Sequence, residues 1–346
     1  MTETSLRERL LVATLPAEER ENGRRLLQAL ACVEDKLKLV ERELETRTRS
    51  KTPTIGLIGE YLVDGGGKRI RPALLLLSAQ ILGYTGDRDV RYGAVIELIH
   101  TATLVHDDII DAADIRRGRE SVNHRWGNEL TVLFGDYLYM KSMEIALDEG
   151  DLRVLRVLSD VTLEMTEGEI IGSEIRGSLD ISLERYLDIV RRKTALLFGA
   201  ACRIPTFLPG VETSGDTLWR YGLALGTAFQ LQDDLLDYTA SEKDLGKPVL
   251  SDLREGKLTL PLILVLPDLS RAERKLVDTV LRERSFTSVS PDQILEIVAH
   301  HTALERAREM LEGYASEARA LALSLPECPA RDGLVLAAEY AAHRRK

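Results

Sequence analysis

Long stretches of the chain repeat apolar residues at intervals of three and four positions, with Ala, Leu, Glu and Arg between them. This spacing places the apolar side chains on one face of an α-helix. The segments with the pattern are Leu26 to Leu44, Pro72 to Leu82, Ala94 to Asp111, Leu130 to Leu147, Leu152 to Arg176, Leu183 to Leu197, Thr217 to Tyr238 and Leu304 to Leu323. The alternating pattern of strands is almost absent. We therefore predict an all-α protein.

Glycine and proline residues fall between these segments, and nothing resembles a long linker or an internal repeat. We predict one helical domain over residues 31–346. Residues 1–30 are charged and mixed, which predicts an N-terminal helical extension or arm. At 346 residues and 44% hydrophobic content, the chain is long enough to bury one large core.

Charge and composition exclude several classes of protein. A net charge of -10 argues against a nucleic-acid binder, because phosphate backbones attract basic surfaces. The cysteines Cys32, Cys202 and Cys328 are too few and too far apart for a disulfide framework or a cysteine-rich metal site. No run approaches the roughly 18 apolar residues of a membrane span, and the first residues lack a secretory pattern. We expect a cytoplasmic protein with no stable membrane insertion.

The first candidate site is the acidic cluster Asp107, Asp108 and Asp111. Its spacing puts the carboxylates on one side of a helix, with Asp107 and Asp111 one turn apart. The flanking residues are apolar: Leu104, Val105, Ile109 and Ile110. Carboxylates clustered on an apolar helix are costly unless a cation neutralises them, and oxygen donors suit Mg²⁺. For a single such cluster, an exposed acidic helix face is the alternative explanation.

A second cluster, Asp233, Asp234 and Asp237, repeats the spacing on another apolar helix. Two solvated faces do not readily explain two copies in apolar surroundings. We expect the two clusters to face each other across a helical bundle and to bind several metal ions and a bridging anion.

Basic residues accompany these clusters. The run from Gly67 to Pro72 places Lys68, Arg69 and Arg71 at the glycine-rich entry to a helix, where backbone N–H groups also favour an anion. Arg116 and Arg117 follow the first acidic cluster. Arg and Lys side chains near acidic clusters are typical of diphosphate binding.

From about residue 35 to the C-terminus, the sequence resembles the trans-prenyl diphosphate synthases, also called polyprenyl synthetases. The resemblance rests on motifs in the family's order: the two acidic clusters, Gly67 to Pro72, Arg116 to Gly118, Lys193 to Ala195, Gly246 to Pro248 and Asp252 to Lys257. It implies a single-domain bundle of mostly antiparallel helices around a deep apolar cavity. It also implies a Mg²⁺-dependent prenyltransferase that condenses isopentenyl diphosphate with an allylic diphosphate (farnesyl, geranylgeranyl or shorter) in an all-trans 1'-4 linkage.

The resemblance implies roles for individual residues. Three Mg²⁺ ions per active site are bound by Asp107, Asp111 and Asp233, with Asp108, Asp234 and Asp237 as further ligands or water-ordering residues. Three residues are expected to bind the allylic diphosphate: Arg116, Lys193 and Lys247. A second set is expected to bind isopentenyl diphosphate: Lys68, Arg71, His100 and Arg117. Lys257 is a further candidate for substrate binding, while Thr194 and Gln230 lie near the developing allylic cation.

Small residues below the first acidic cluster predict a long product. Ala102 and Thr103 stand where bulky aromatic residues make short products in the family. We expect a product near the octaprenyl class, within a range from heptaprenyl to decaprenyl, for quinone side chains. Phe134 is a candidate floor of the cavity, together with Tyr137 and Leu138.

Two other functions remain open at this stage. One is a non-catalytic partner subunit of a heteromeric synthase, although such subunits typically lose one acidic cluster. The other is a class I terpene cyclase, which usually lacks both the second aspartate motif and the Lys68 to Arg71 element. The family also implies a homodimer, and the basic tail Arg344 to Lys346 is expected to be solvated.

Overall fold

The structure, a computed structural model, describes residues 30–116, 118–211, 215–239 and 248–344. Nearly all of the predicted N-terminal arm, together with Arg117 and Lys247, therefore lies outside the described residues.

Helices dominate the described residues, and the prediction of an all-α protein is confirmed. The α-helices are α1 (Glu34–Thr48), α2 (Pro53–Asp64), α3 (Ile70–Ile81), α4 (Arg88–Ile110), α5 (Val122–Trp126), α6 (Asn128–Glu149), α7 (Leu152–Glu174), α8 (Leu183–Val190), α9 (Leu196–Arg203), α10 (Asp216–Thr239), α11 (Ser251–Arg254), α12 (Leu260–Val265), α13 (Arg271–Glu283), α14 (Pro291–His300), α15 (Ala303–Leu323) and α16 (Pro329–His343). Shorter 3-10 turns cover Ala31–Val33, Ile204–Phe207 and Leu266–Asp268.

Two features depart from regular α-helix. A π-helical turn, Arg191–Ala195, joins α8 to α9. A small antiparallel hairpin pairs β1 (Ile115–Arg116) with β2 (Arg119–Glu120), and Gly118 takes a positive φ of 73° within it. None of the described helices is long and apolar enough to span a membrane.

The chain divides into two compact units, each assembled from separate stretches. Among the described residues, the first unit contains those up to Asp160, Leu197–Gly222 and Leu321–Ala337; the second contains Val161–Leu196, Leu223–Ala320 and those from Ala338 onward. The expected single domain from residue 31 stays a prediction.

In the first unit, α4 packs against α1, α3 and α6. Its middle is buried on all sides, which explains why Tyr92 to Ile99 is almost entirely apolar. Glycines let neighbouring helices approach closely. A Cβ atom at Gly135 of α6 would lie 2.2 Å from His106 Nε2 of α4. The end of α4 that carries the first acidic cluster is therefore held firmly against α6.

The second unit has its own apolar core around the second half of α10 and helices α12 to α15. Buried members from these helices include Leu231, Leu262, Val280 and Leu311, all at 0% exposure. This core fixes the helix that carries the second acidic cluster.

Candidate active site

The first acidic cluster lies at the C-terminal end of α4. Asp107 and Asp111 are half-buried, whereas Asp108 is buried. The helix ends here because Asp111 caps it and Ala112 takes a left-handed φ of 50°. A helix C-terminus carries a partial negative charge, so three carboxylates at this position repel both each other and the helix dipole. Nearby cations are needed to reduce this repulsion.

Arg116 supplies one of these cations. From β1, its Nε lies 2.7 Å and its Nη2 2.5 Å from Oδ1 of Asp108. The hairpin thus folds the arginine back onto the acidic cluster. Because Arg116 neutralises Asp108, the carboxylates of Asp107 and Asp111 are the better candidates for direct metal ligands.

The basic loop before α3 differs from the prediction in one residue. Lys68 and Arg71 are half-buried, and the guanidinium of Arg71 lies 4.4 Å from the ring centre of Phe198. Arg69, by contrast, is buried inside the unit, where it binds Glu41 and Glu97. Of the three cations between Lys68 and Arg71, Arg69 is therefore structural. Substrate roles for Lys68 and Arg71 stay predictions.

The second acidic cluster lies on α10, and its three carboxylates have different surroundings. Asp234 is buried; Tyr186 Oη donates to its Oδ2, and Leu260 N–H donates to the same oxygen at 3.2 Å. Burial and the nearby charge of Asp252 raise the pKa of Asp234 to about 7, although hydrogen bonds from Tyr186, Gln230 and Leu260 act in the opposite direction. Burial therefore disfavours the charged form of this carboxyl.

Asp237 holds the following loop in place. Its Oδ1 accepts from the Ser251 hydroxyl at 2.6 Å, and its Oδ2 accepts from Asp252 N–H at 3.1 Å. These groups lie at the start of α11, so the carboxylate caps that short helix. This arrangement favours an indirect role for Asp237 over direct binding of a metal ion.

Asp233 is the exposed member of the cluster, with 46% of its side chain accessible. Arg344 Nη2 lies 2.6 Å from its Oδ1 and also donates to the Phe229 carbonyl at 2.9 Å. The Arg344 side chain is only 5% exposed. The expectation of a solvated basic tail is therefore wrong at Arg344, because its guanidinium packs over the Phe229 ring at 3.8 Å. Arg345 and Lys346 lie outside the described residues.

The π-helical turn presents the two candidate residues Lys193 and Thr194. Thr194 Oγ1 donates to Gln230 Oε1 at 2.9 Å, and Gln230 Nε2 donates to Asp234 Oδ1 at 3.0 Å. A hydrogen-bonded chain thus runs from Thr194 to the second acidic cluster. It confirms that these residues are neighbours, while their catalytic roles stay predictions.

Lys193 forms an ion pair with Glu169 of α7. The close approach depends on Gly168, since a Cβ atom there would lie 2.7 Å from Arg192 Cβ and 3.2 Å from Lys193 Cγ. Lys257 is the other described lysine of this unit for which substrate binding was predicted. Its Nζ lies 2.8 Å from Glu255 Oε2. A glutamate thus accompanies each of these candidate lysines.

Sequence reasoning did not anticipate the supporting residues Tyr186, Glu169 and Arg344. Tyr186 and Glu169 stand far from the acidic motifs in the chain and carry no motif of their own. The position of Arg344 in a basic C-terminal run gave only a weak indication of a role at the site, because solvation explains such a run more simply.

Comparison with known proteins identifies the family. Residues 52–298 match the family described as polyprenyl synthetase. The chain is 38% identical over 296 residues to the octaprenyl diphosphate synthase of Escherichia coli (strain K12), covering 85% of this chain and 91% of that protein. It is 33% identical over 330 residues to heptaprenyl diphosphate synthase component 2 of Bacillus subtilis (strain 168), covering 94% and 92%. The chain belongs to the polyprenyl synthetase family.

A solved structure agrees with this assignment. The polyprenyl synthase from Caulobacter crescentus CB15, crystallised with calcium and isoprenyl diphosphate, superimposes with a TM-score of 0.88 at 32% identity, covering 93% of this chain and 98% of that chain. The predicted family and the predicted enzyme class, prenyltransferase, are confirmed.

The candidate chain-length residues of this polyprenyl synthetase lie on α4 and α6. Ala102 and Phe134 are buried, and Thr103 is half-buried, with its hydroxyl donating to the His100 carbonyl at 2.8 Å. The rings of Phe134 and Tyr137 lie 6.0 Å apart. His100 is half-buried on α4. The two small residues therefore stand on the helix that ends in the first acidic cluster, and their effect on the product stays a prediction.

The donor set of each acidic cluster fits a hard divalent cation. Asp107, Asp111 and Asp233 offer carboxylate oxygens without nitrogen or sulfur ligands, which is the set that Mg²⁺ and Ca²⁺ prefer. In the second cluster, the Arg344 guanidinium already occupies a cation position against Asp233. Both observations favour cation binding at these carboxylates.

Proposed function

We propose that this polyprenyl synthetase condenses isopentenyl diphosphate with an allylic diphosphate, such as farnesyl diphosphate, to give a long-chain all-trans polyprenyl diphosphate. The observation that carries the proposal is the pair of acidic clusters, each on a helix anchored in an apolar core and each accompanied by an arginine. A single cluster is common on helix surfaces. Two such acidic clusters in a chain of this family favour metal-assisted departure of diphosphate.

The proposed role of each residue follows from its charge. When bound, divalent ions, expected to be three Mg²⁺, neutralise the growing charge on the leaving diphosphate. Arg116, Lys193 and Lys247 bind that diphosphate, and they supply cationic N–H donors where its charge develops. Lys68, Arg71, His100 and Arg117 orient the isopentenyl diphosphate, and Lys257 is a further substrate-binding residue. The structure of the Caulobacter crescentus relative contains calcium and isoprenyl diphosphate, which supports binding of a divalent ion and a diphosphate.

The hydrogen-bonded pair of Thr194 and Gln230 serves the organic part of the substrate. Departure of diphosphate leaves an allylic cation, which oxygen dipoles stabilise when they are fixed in advance. Thr194 donates its hydrogen to Gln230, so the oxygen lone pairs of Thr194 remain directed away from that bond. The π-helical turn thereby orients an acceptor for positive charge.

The proposed product is of the octaprenyl class, with heptaprenyl to decaprenyl as the range. Small side chains at Ala102 and Thr103 support a long product. The names of relatives, octaprenyl diphosphate synthase in Escherichia coli and heptaprenyl diphosphate synthase component 2 in Bacillus subtilis, support the same range. We also propose that the chain acts in the cytoplasm as a homodimer.

A direct assay tests the function. The purified chain alone is incubated with Mg²⁺, farnesyl diphosphate and radiolabelled isopentenyl diphosphate, and the dephosphorylated products are sized by chromatography. We expect products of about 35 to 50 carbons, from the proposed heptaprenyl to decaprenyl range, and no turnover with EDTA.

Two results would favour other functions. The Bacillus subtilis relative is named as component 2 of its synthase, so absence of condensation by the chain alone would favour a subunit that needs a partner. Conversion of farnesyl diphosphate to a cyclic hydrocarbon without uptake of label would favour a terpene cyclase.

A further inference from the structure

A cluster of two histidines and a glutamate lies in the second unit, on elements that the proposed function does not use. Glu273 stands in the first turn of α13, His300 is the last residue of α14, and His301 caps that helix. One ligand atom from each side chain lies within 4.8 Å of the other two. His301 Nε2 is 3.1 Å from Glu273 Oε1.

Adjacent residues on a helix normally point about 100° apart, so two neighbouring histidines rarely share a ligand. Here α14 ends at His300, and Thr302 takes a left-handed φ of 50°. The two imidazole rings meet edge to face, with centroids 4.9 Å apart. The helix terminus thus turns both rings toward the same side as Glu273.

The separations suit a tetrahedral metal ion. Nitrogen and oxygen ligands at about 2.1 Å from zinc lie roughly 3.4 Å from one another in tetrahedral geometry. The 3.1 Å between His301 and Glu273 is already close to that value. His300 is exposed, so its ring has room to rotate toward a metal ion held by the other two side chains.

The glutamate is oriented by its own hydrogen bonds. Ser270 N–H donates to Glu273 Oε2 at 2.8 Å, and the Ser270 hydroxyl accepts from Glu273 N–H at 3.3 Å, which forms a capping box. Oε2 is therefore committed to the helix cap while Oε1 faces His301. Carboxylates that bind a metal ion through one oxygen are usually held in place by a hydrogen bond to the other oxygen.

We propose that Glu273, His300 and His301 form a binding site for a divalent transition metal of the zinc type, with water as the fourth ligand. Imidazole nitrogens favour Zn²⁺, Co²⁺, Ni²⁺ or Cu²⁺ over Mg²⁺, in contrast to the oxygen-only acidic clusters. The bound ion links the end of α14 to the start of α13 and stabilises the second unit.

Cobalt supplies a spectroscopic test. Full-length protein is freed of metal with a chelator, exchanged into buffer with excess Mg²⁺ to occupy the acidic clusters, and titrated with Co²⁺. We expect one equivalent to give the intense visible absorption of four-coordinate Co²⁺, which Zn²⁺ then abolishes by displacement. Apparent melting temperature should rise with the same stoichiometry.

Matched variants locate the site. Glu273→Gln preserves the capping box, because glutamine also caps at this position, but it removes the anionic ligand. We expect Glu273→Gln, His300→Ala and His301→Ala each to weaken Co²⁺ binding at least tenfold. His343→Ala, which changes an exposed histidine 3.7 Å from Glu312, should leave binding unchanged.

Identical spectra and affinities for the wild type, Glu273→Gln and His300→Ala would overturn the proposal, and the three residues would then form only a hydrogen-bonded cap. Far-UV circular dichroism confirms that each variant is folded. Because the readout is absorption of the metal, the result is independent of prenyltransferase activity.

Discussion

Arg69 belongs to the basic loop before α3, yet its guanidinium is buried between two carboxylates. Nε donates to Glu41 Oε1 and Nη1 to Glu97 Oε1, both at 2.8 Å. These bonds connect the loop to α1 and to the buried middle of α4. They also fix the backbone between Lys68 and Arg71, which are the residues expected to bind isopentenyl diphosphate.

Replacement of Arg69 by methionine should be strongly destabilising. The change keeps a long unbranched side chain but leaves Glu41 and Glu97 without their buried cation. Removal of one partner from a buried ion pair costs about 3–5 kcal/mol, and urea unfolding measures the loss. Arg282→Met is the control, because its pair with Asp278 is largely exposed and should contribute less than about 1 kcal/mol. Equal losses for both variants would contradict the role assigned to Arg69.

Single residues also show what the sequence could not predict. The spacing of Asp107, Asp108 and Asp111 placed three carboxylates on one helix side, but it could not distinguish Asp108, which Arg116 neutralises, from the two that are proposed as metal ligands. The same holds for Asp233, Asp234 and Asp237. Their differences depend on Tyr186, Ser251 and Arg344, which are distant in the chain and are brought close only by folding.

At the scale of elements, apolar periodicity predicted the long helices best. The segments expected at Leu130 to Leu147 and Thr217 to Tyr238 became Asn128–Glu149 and Asp216–Thr239. The predicted segments do not include helices α2, α5, α11, α12, α13, α14 and α16. In α2, Gly56 and Gly59 weaken the signal, and the structure shows why Gly59 is needed, since a Cβ atom there would lie 3.0 Å from the Thr48 carbonyl oxygen.

The predicted segment Leu183 to Leu197 contains the π-helical turn Arg191–Ala195. A π-turn adds one residue to a helical turn and leaves no distinct sequence pattern, so periodicity missed it. In the structure, the position of this π-turn points to a functional site. Such turns are frequent at functional sites, and this one presents Lys193 and Thr194.

Helix α4 should set the length of the product. Phenylalanine in place of Ala102 or Thr103 adds a bulky ring one to two turns before the first acidic cluster and should block growth of the prenyl chain. We expect products shortened by at least two isoprene units in reversed-phase sizing, with condensation of the first units retained. Val132→Phe, on the exposed face of α6, is the control. Unchanged product length in both α4 variants would refute this picture of the cavity.

At the scale of the whole molecule, α6 presents an apolar face that is exposed among the described residues. Leu133, Met140 and Leu147 recur every seven residues along it and are 60%, 61% and 62% exposed. Large apolar side chains in such a row are typical of a helix that packs against a partner. A second copy of this chain is the partner we propose.

The dimer prediction is tested with a charged pair of substitutions. Leu133→Glu with Met140→Glu should shift the protein from dimer to monomer in sedimentation equilibrium, because carboxylates on an apolar interface lose hydration without gaining partners. The control is Leu163→Glu, which adds a charge at an exposed leucine of α7 and shows whether any added charge has this effect. A wild-type chain that sediments as a monomer, or a double variant that remains dimeric, would argue against α6 as the interface.

Both acidic clusters are proposed to serve one condensation. The most direct measurement is the rate of isopentenyl diphosphate incorporation by Asp107→Asn, by Asp233→Asn and by the control Asp160→Asn, an exposed aspartate of α7. Loss of a carboxylate that binds metal should lower the rate at least about 100-fold in each of the first two variants, while the control keeps the wild-type rate. Undiminished synthesis when Asp107 and Asp233 are both replaced would contradict the account.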